Sequence, residues 1–391
     1  MTRLAKIRLI SILFIFISVC LNAEVIKDND FKFSLDIPEG FQIDSYSQDG
    51  MSYMFSHPNI PVNLVMKLYD GQLSSNSKKV LSDTLNKLSA KFEADTFVWE
   101  GENCSISSFT MQIDKKYKGW ALACPCQIDG AYITLLCYAP EDKEAACEQF
   151  IMSTLNSLCI NEKFYYEPGI ITTYAFPSEG KKNISTSING QTFTSTIDKV
   201  DFEASDFVID LEYAVLTLYA NHKMWKEAWQ RYYRMIYRDS RGRLQDFSSK
   251  ALVKLYPVAK KENPENSALA YAQYLLSWVQ TFDYQRNTEK NSSDFTSIVS
   301  TICGQGNDCD SRSMLLAIML GSAGLESIML ISRDYSHALA GILLDAPGQK
   351  YKLEATGDEY LFGETTAKVT WGMIAKDHSD RTKWIPVTFN P

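Results

Sequence analysis

Residues 304–313 read Gly304-Gln305-Gly306-Asn307-Asp308-Cys309-Asp310-Ser311-Arg312-Ser313, and the apolar run MLLAIMLGSAG (314–324) follows at once. Gly306 and Asn307 both tolerate left-handed backbone, which suits a sharp turn into a helix. Met314, Leu315, Ile318 and Met319 give that helix a buried face. Cys309 therefore falls at the helix N-terminus and not within its apolar run. Exposed N–H groups there favour an anion, so they stabilise a thiolate, and they also suit an oxyanion forming on a bound carbonyl. Asp308 and Asp310 are expected as caps and turn-formers. Their charges act against the thiolate, so the helix end and a base must outweigh them.

A nucleophilic thiol needs that base. The histidines are His57, His222, His337 and His378. Only His337 lies in a clear strand pattern, YSHALAGILLD (335–345), which is followed by the turn Asp345–Lys350 and by YKLEATG (351–357). An antiparallel pairing across this turn, centred between Asp345 and Ala346, would place Glu354 opposite His337, and a slip of one residue would part them. Glu354 would then hold the second ring N–H and fix the tautomer. A cysteine at a helix start, a histidine on a strand and a carboxylate on its neighbour form a nucleophile–base–orienter set.

At these residues the chain resembles the transglutaminase-like superfamily, which has a papain-like cysteine-protease core. The resemblance lies in GNDCDSRSMLLAIML (306–320), in SHALAGILL (336–344) and in LEATG (353–357), and it spans roughly residues 265–357. It implies Cys309 as nucleophile, His337 as base and Glu354 as the orienting acid. The upstream WVQTFDY (278–284) resembles the segment that precedes the nucleophile, which makes Gln280 a candidate oxyanion donor. This chain has Asn307, Ser311 and Glu354 where many relatives have Gly, an acid and Asp. None of these departures removes a role.

Outward from this core the pattern is helical from about residue 203. Two helices are expected over 206–240, broken near Asn221, then one over 243–259 and one in the segment 262–282. Trp225, Trp229, Tyr232, Ile236 and Tyr237 form a stripe at helical spacing, read as core. Residues 161–202 are rich in Ser, Thr, Asn and Gly, and Asn189-Gly190 is a two-residue hairpin turn, so a small β segment links the halves.

Residues 24–160 read as strands, a helix at 77–92 with Ser77 as its cap, more strands, and a closing helix at 141–158. That order implies an antiparallel sheet covered by helices. In FSLDIPEGF (33–41), FVWEG (97–101), GWAL (119–122) and STLNSL (153–158) this part resembles a Mog1/PsbP-like domain. The resemblance implies a docking module, with a cell-envelope protein as the expected partner. The fold class is thus α+β: an N-terminal antiparallel sheet covered by helices, a helical connector, and a C-terminal helix-plus-antiparallel-sheet domain within 203–391.

Arg3, Lys6 and Arg8 precede an apolar run, Leu9–Val19, that ends near Ala23. This is the pattern of a secretory signal peptide over residues 1–23, too short for a permanent span. Anchoring through Cys20 is the rival reading. Export to the periplasm or the outside is expected. Removing the leader takes three positive charges from a net charge of -8, leaving -11. An acidic chain of about 370 residues, enough for two or three domains, argues against nucleic acid as a partner. Cys104, Cys124, Cys126, Cys137, Cys147, Cys159, Cys303 and Cys309 follow the leader and are expected as free thiols. Cys124-Pro125-Cys126 is too tight for a zinc knuckle and has the wrong spacing for disulfide exchange. No metal or organic cofactor is implied. The expected function is acyl transfer from an amide of a protein or peptide substrate. Hydrolysis is preferred to crosslinking, because water is always present. The alternative is a non-catalytic envelope interaction protein with a vestigial triad.

Overall fold

The computed structural model describes residues 25–71, 76–286, 293–304 and 307–390. The expected leader, Cys20 and Gly306 lie outside the described residues. The fold is α+β, with antiparallel sheets and helices.

The N-terminal sheet has eight strands. Its centre is Asn63–Asp70, Ala131–Pro140, Lys116–Pro125 and Glu102–Gln112, in that spatial order. The central strands are apolar on both faces because a helix covers each. Ala121, Ala123, Leu136 and Tyr138 pack with Val80, Leu81 and Leu85 of the helix Ser77–Lys87. Leu122, Cys124, Leu135 and Cys137 point the other way, to Phe150, Ile151 and Leu155 of the helix Glu141–Asn156. This is the period of two that a strand imposes. The first helix is capped by Asn76, whose side chain accepts from the Lys79 N–H at 2.9 Å, and Ser77 is its first residue and not its cap. The hairpin Lys181–Ile188 and Gln191–Asp198 turns at Asn189 and Gly190, with φ of 47° and 72°. Both values are positive, as a two-residue hairpin of this twist requires.

Two helices, Asp201–Thr217 and Trp225–Arg243, belong to both halves. Val215, Tyr219, Met224 and Ala228 complete the N-terminal core, whereas Ile209, Tyr232, Ile236 and Tyr237 enter the C-terminal one. Buried charge ties the same seam. Arg231, 1% exposed, donates to Glu212 Oε2 (2.7 Å), to the Asp36 carbonyl (2.7 Å) and to the Ser153 carbonyl (3.4 Å). Arg234 holds both Asp36 carboxylate oxygens at 2.9 Å.

Beside this network lies Glu39, 2% exposed, with both carboxylate oxygens shielded and without a hydrogen-bond partner. Burial pushes its carboxyl up to about 7 from 4.5, against the opposing pull of Arg231. Between these values the folded chain keeps a proton that the unfolded chain has released. The stability contribution is therefore complete below pH 4.5 and is lost as pH rises to and through 7. The full difference is about 3 kcal/mol. Glu39→Gln should match wild type in urea denaturation at pH 4.5 and exceed it by up to about that amount at pH 8. Equal stability of the two proteins at pH 8 would contradict this.

The C-terminal sheet runs Lys350–Lys352, Glu359–Gly363, His337–Leu343, Ser327–Ser332, Ile385–Thr388, all antiparallel. The expected pairing of residues 351–357 with the His337 strand does not form. Glu359–Gly363 takes that place, with Gly341 opposite Phe362 and Ala340 opposite Gly363. The reason is burial. Tyr360 and Phe362 enter one core and Leu361 another, so this strand needs a cover on both faces. Lys350-Tyr351-Lys352 is better suited to a solvated edge.

Candidate active site

Cys309 is the first residue of the helix Cys309–Ser322, whose N-cap is Asp308. One Asp308 oxygen accepts from both the Ser311 N–H and the Ser311 hydroxyl, each at 3.0 Å. This pair explains the serine after Asp-Cys-Asp. Arg312 braces the turn with three neutral acceptors: Asn307 Oδ1 (2.6 Å), the Phe282 carbonyl (2.8 Å) and the Thr365 carbonyl (3.3 Å). Asn307 is not among the described residues with positive φ, so its role is to anchor Arg312 and not to supply left-handed backbone.

The thiol of Cys309 is 4% exposed and donates to Asp310 Oδ1 at 3.3 Å. Tyr233 donates its hydroxyl to the other Asp310 oxygen. Burial, and then the charges of Asp310 and Asp308, push the thiol well above its ordinary range, while a bond from the Ala338 N–H pulls the other way. The helix that Cys309 opens packs on the strand His337–Leu343, whose first residue is His337. All eight cysteines among the described residues are free, and of them only Cys303 is exposed.

His337 Nε2 lies 2.9 Å from Glu364 Oε2. Burial raises the Glu364 carboxyl, but His337 and Thr366 outweigh it and hold it at about 2. Its other oxygen, Oε1, accepts from the Thr366 N–H (2.8 Å) and hydroxyl (2.6 Å). An ionised carboxylate accepts only, so Nε2 carries a proton, and in the neutral ring Nδ1 then keeps the lone pair.

Glu364 thus occupies the position expected of Glu354. Glu354 lies in an exposed turn after the edge strand, because the inserted strand Glu359–Gly363 moves it away from His337. Gln280 also differs from expectation. Its amide nitrogen donates to the Glu364 carbonyl at 2.8 Å and to the Val369 carbonyl at 3.0 Å. Both amide hydrogens are engaged, so Gln280 positions the Glu364 backbone and has no donor for an oxyanion. A signal for Glu364 exists in the sequence: it is the first acid after the apolar strand YLFG, and two threonines follow it. Trp229 is half-buried: it packs against the C-terminal core, as its place in the stripe predicts, and also lines a cleft of about 160 Å³ with Asp310, Ser332, Arg333 and His337.

His57 is buried and structural. Its Nε2 donates to the Glu39 carbonyl at 2.9 Å, and its Nδ1 accepts from the N–H groups of Asn59 and Ile60. His378 is different: its ring centroid lies 5.2 Å from that of His337. His337, Glu364 and His378 each bring one ligand atom within 4.8 Å of the others, a spacing that can hold a metal ion.

No family profile matches the chain, nor does any curated protein sequence. Among solved structures it is similar to the cyanobacterial PsbP of Synechocystis, at 13% identity and a TM-score of 0.30, over 37% of this chain and 95% of that one. It is also similar to the Ran-binding protein Mog1p of Saccharomyces cerevisiae, at 9% identity and a TM-score of 0.28, over 36% and 96%. A third is LpqN of Mycobacterium tuberculosis, a protein involved in cell envelope biogenesis, at 16% identity and a TM-score of 0.25, over 36% and 87%. Among the described residues no helix is long and apolar enough to cross a membrane.

Proposed function

We propose that this chain is an exported cysteine enzyme of transglutaminase-like type that transfers an acyl group from an amide, with water as the preferred acceptor. The observation that carries the reading is the 2.9 Å pair of His337 Nε2 and Glu364 Oε2 at the start of the strand on which the Cys309 helix packs. Cys309 passes its proton to His337 Nδ1 as the sulfur attacks the carbonyl carbon. Glu364 stabilises the imidazolium. His337 then protonates the departing amine, and water enters by the same route in reverse. N–H groups of the first turn of the Cys309 helix receive the oxyanion. In the resting state the thiol points to Asp310, so substrate must turn the sulfur towards His337. The N-terminal sheet serves as a docking module for an envelope protein.

The buried, protonated state of Cys309 favours a second reading, in which the site is vestigial and the whole chain binds partners. Labelling by iodoacetamide at pH 7, followed site by site by mass spectrometry, separates the two. The enzyme predicts that Cys309 reacts at least about tenfold faster in wild type than in His337→Ala. The exposed Cys303 serves as the internal standard. Equal, slow labelling of Cys309 in both proteins would leave the binding reading.

A further inference from the structure

We infer that His337, Glu364 and His378 form a site for one divalent cation of the zinc class, and that filling it disables the base of the Cys309 site. The second half rests on the proposed function; the first does not. Two imidazoles and one carboxylate are a donor set that zinc accepts, with bonds of about 2.0–2.2 Å. His337 and Glu364 are already 2.9 Å apart. The three ligand atoms lie within 4.8 Å of one another, so the widest gap must close by about 1 Å to meet one ion.

The surroundings support a site more than a chance cluster. His378 Nδ1 is shielded from solvent and has no hydrogen-bond partner, a costly state for a ring nitrogen unless something fills it. The backbone of His378 is pinned, because the Trp384 indole N–H donates to its carbonyl at 2.9 Å. Glu364 is oriented by Thr366 through Oε1 and by Gln280 through its carbonyl. Such outer contacts fix ligands in metal centres.

The consequence for His337 follows from its single ring proton. An ion on Nε2 needs a lone pair there, so in the neutral ring the proton must sit on Nδ1. Nδ1 then donates and cannot accept the thiol proton. The ion also takes the carboxylate that would balance an imidazolium.

Zinc binding is measured on the full chain by competition with a chromogenic chelator, and Co²⁺ is used as the spectroscopic probe. One equivalent should bind with no thiolate charge-transfer band. Binding should persist in Cys303→Ser/Cys309→Ser and weaken at least about 100-fold in His378→Ala and in Glu364→Gln. His378→Gln guards against a packing defect in the alanine variant and should weaken binding similarly. A thiolate band, or affinity that survives both His378 variants, overturns the site. One equivalent of Zn²⁺ should also slow iodoacetamide labelling of Cys309 in wild type. Binding without that slowing keeps the site and overturns the switch. If His337→Ala labels like wild type, acyl transfer fails as a reading while the metal result stands on its own.

Discussion

Glu364→Gln is expected to lower thioester-forming hydrolysis of an activated ester such as p-nitrophenyl acetate by about 10²–10⁴-fold, whereas Glu354→Gln stays within about twofold of wild type. The reason is the arrangement around Glu364. Thr366 donates twice to Oε1, so the one oxygen of a glutamine is claimed there. The amide nitrogen must then face His337 Nε2, which can meet it only as an acceptor. That places the ring proton on Nδ1, the nitrogen that has to receive the thiol proton, and it removes the charge that stabilises the imidazolium. Glu354 is solvent-exposed and lies beyond the edge strand. A large loss in Glu354→Gln with none in Glu364→Gln would restore the pairing expected from sequence and reject the one in the structure.

The largest effect on stability is expected at Arg231. Arg231→Met leaves Glu212 buried with only the Ser153 hydroxyl, at 2.9 and 3.0 Å from its two oxygens, in place of a guanidinium. Removing one partner of a fully buried ion pair costs about 3–5 kcal/mol. Asp36 keeps its two-pronged contact with Arg234, so the loss centres on Glu212. Adding Glu212→Leu should recover most of it, because the stranded charge is then gone. Urea denaturation of the two variants and wild type reads this directly as a shift in midpoint. A single variant within about 1 kcal/mol of wild type would mean that water reaches Glu212.

Local pattern accounts for what could be read from the chain. The strand-like runs in residues 116–140, the helical spacing of 77–88, the Asn189-Gly190 turn and the helix start at Cys309 all depend on neighbours within a turn or a strand. The acid of the site does not. Its identity depends on which of two strands after residue 345 lies beside His337, and that is decided by burial in two separate cores. The cleft-facing position of Trp229 has the same origin: a stripe at helical spacing gives a face, but packing decides which end of the face remains uncovered. Asn76 was missed for a smaller reason, since Asn and Ser are adjacent and both cap well.

The Arg231 seam also bears on the order of assembly. Its guanidinium meets the Asp36 carbonyl across 195 residues of chain. At synthesis rates of about 5–20 residues per second, roughly 10–40 s separate the emergence of these two groups. For most of that interval the strand Phe33–Asp36 carries a carboxylate without its buried cations, and the N-terminal core lacks the side chains of Val215, Tyr219, Met224 and Ala228. The N-terminal half therefore completes its core and its buried ion pairs only after both helices, Asp201–Thr217 and Trp225–Arg243, have been made.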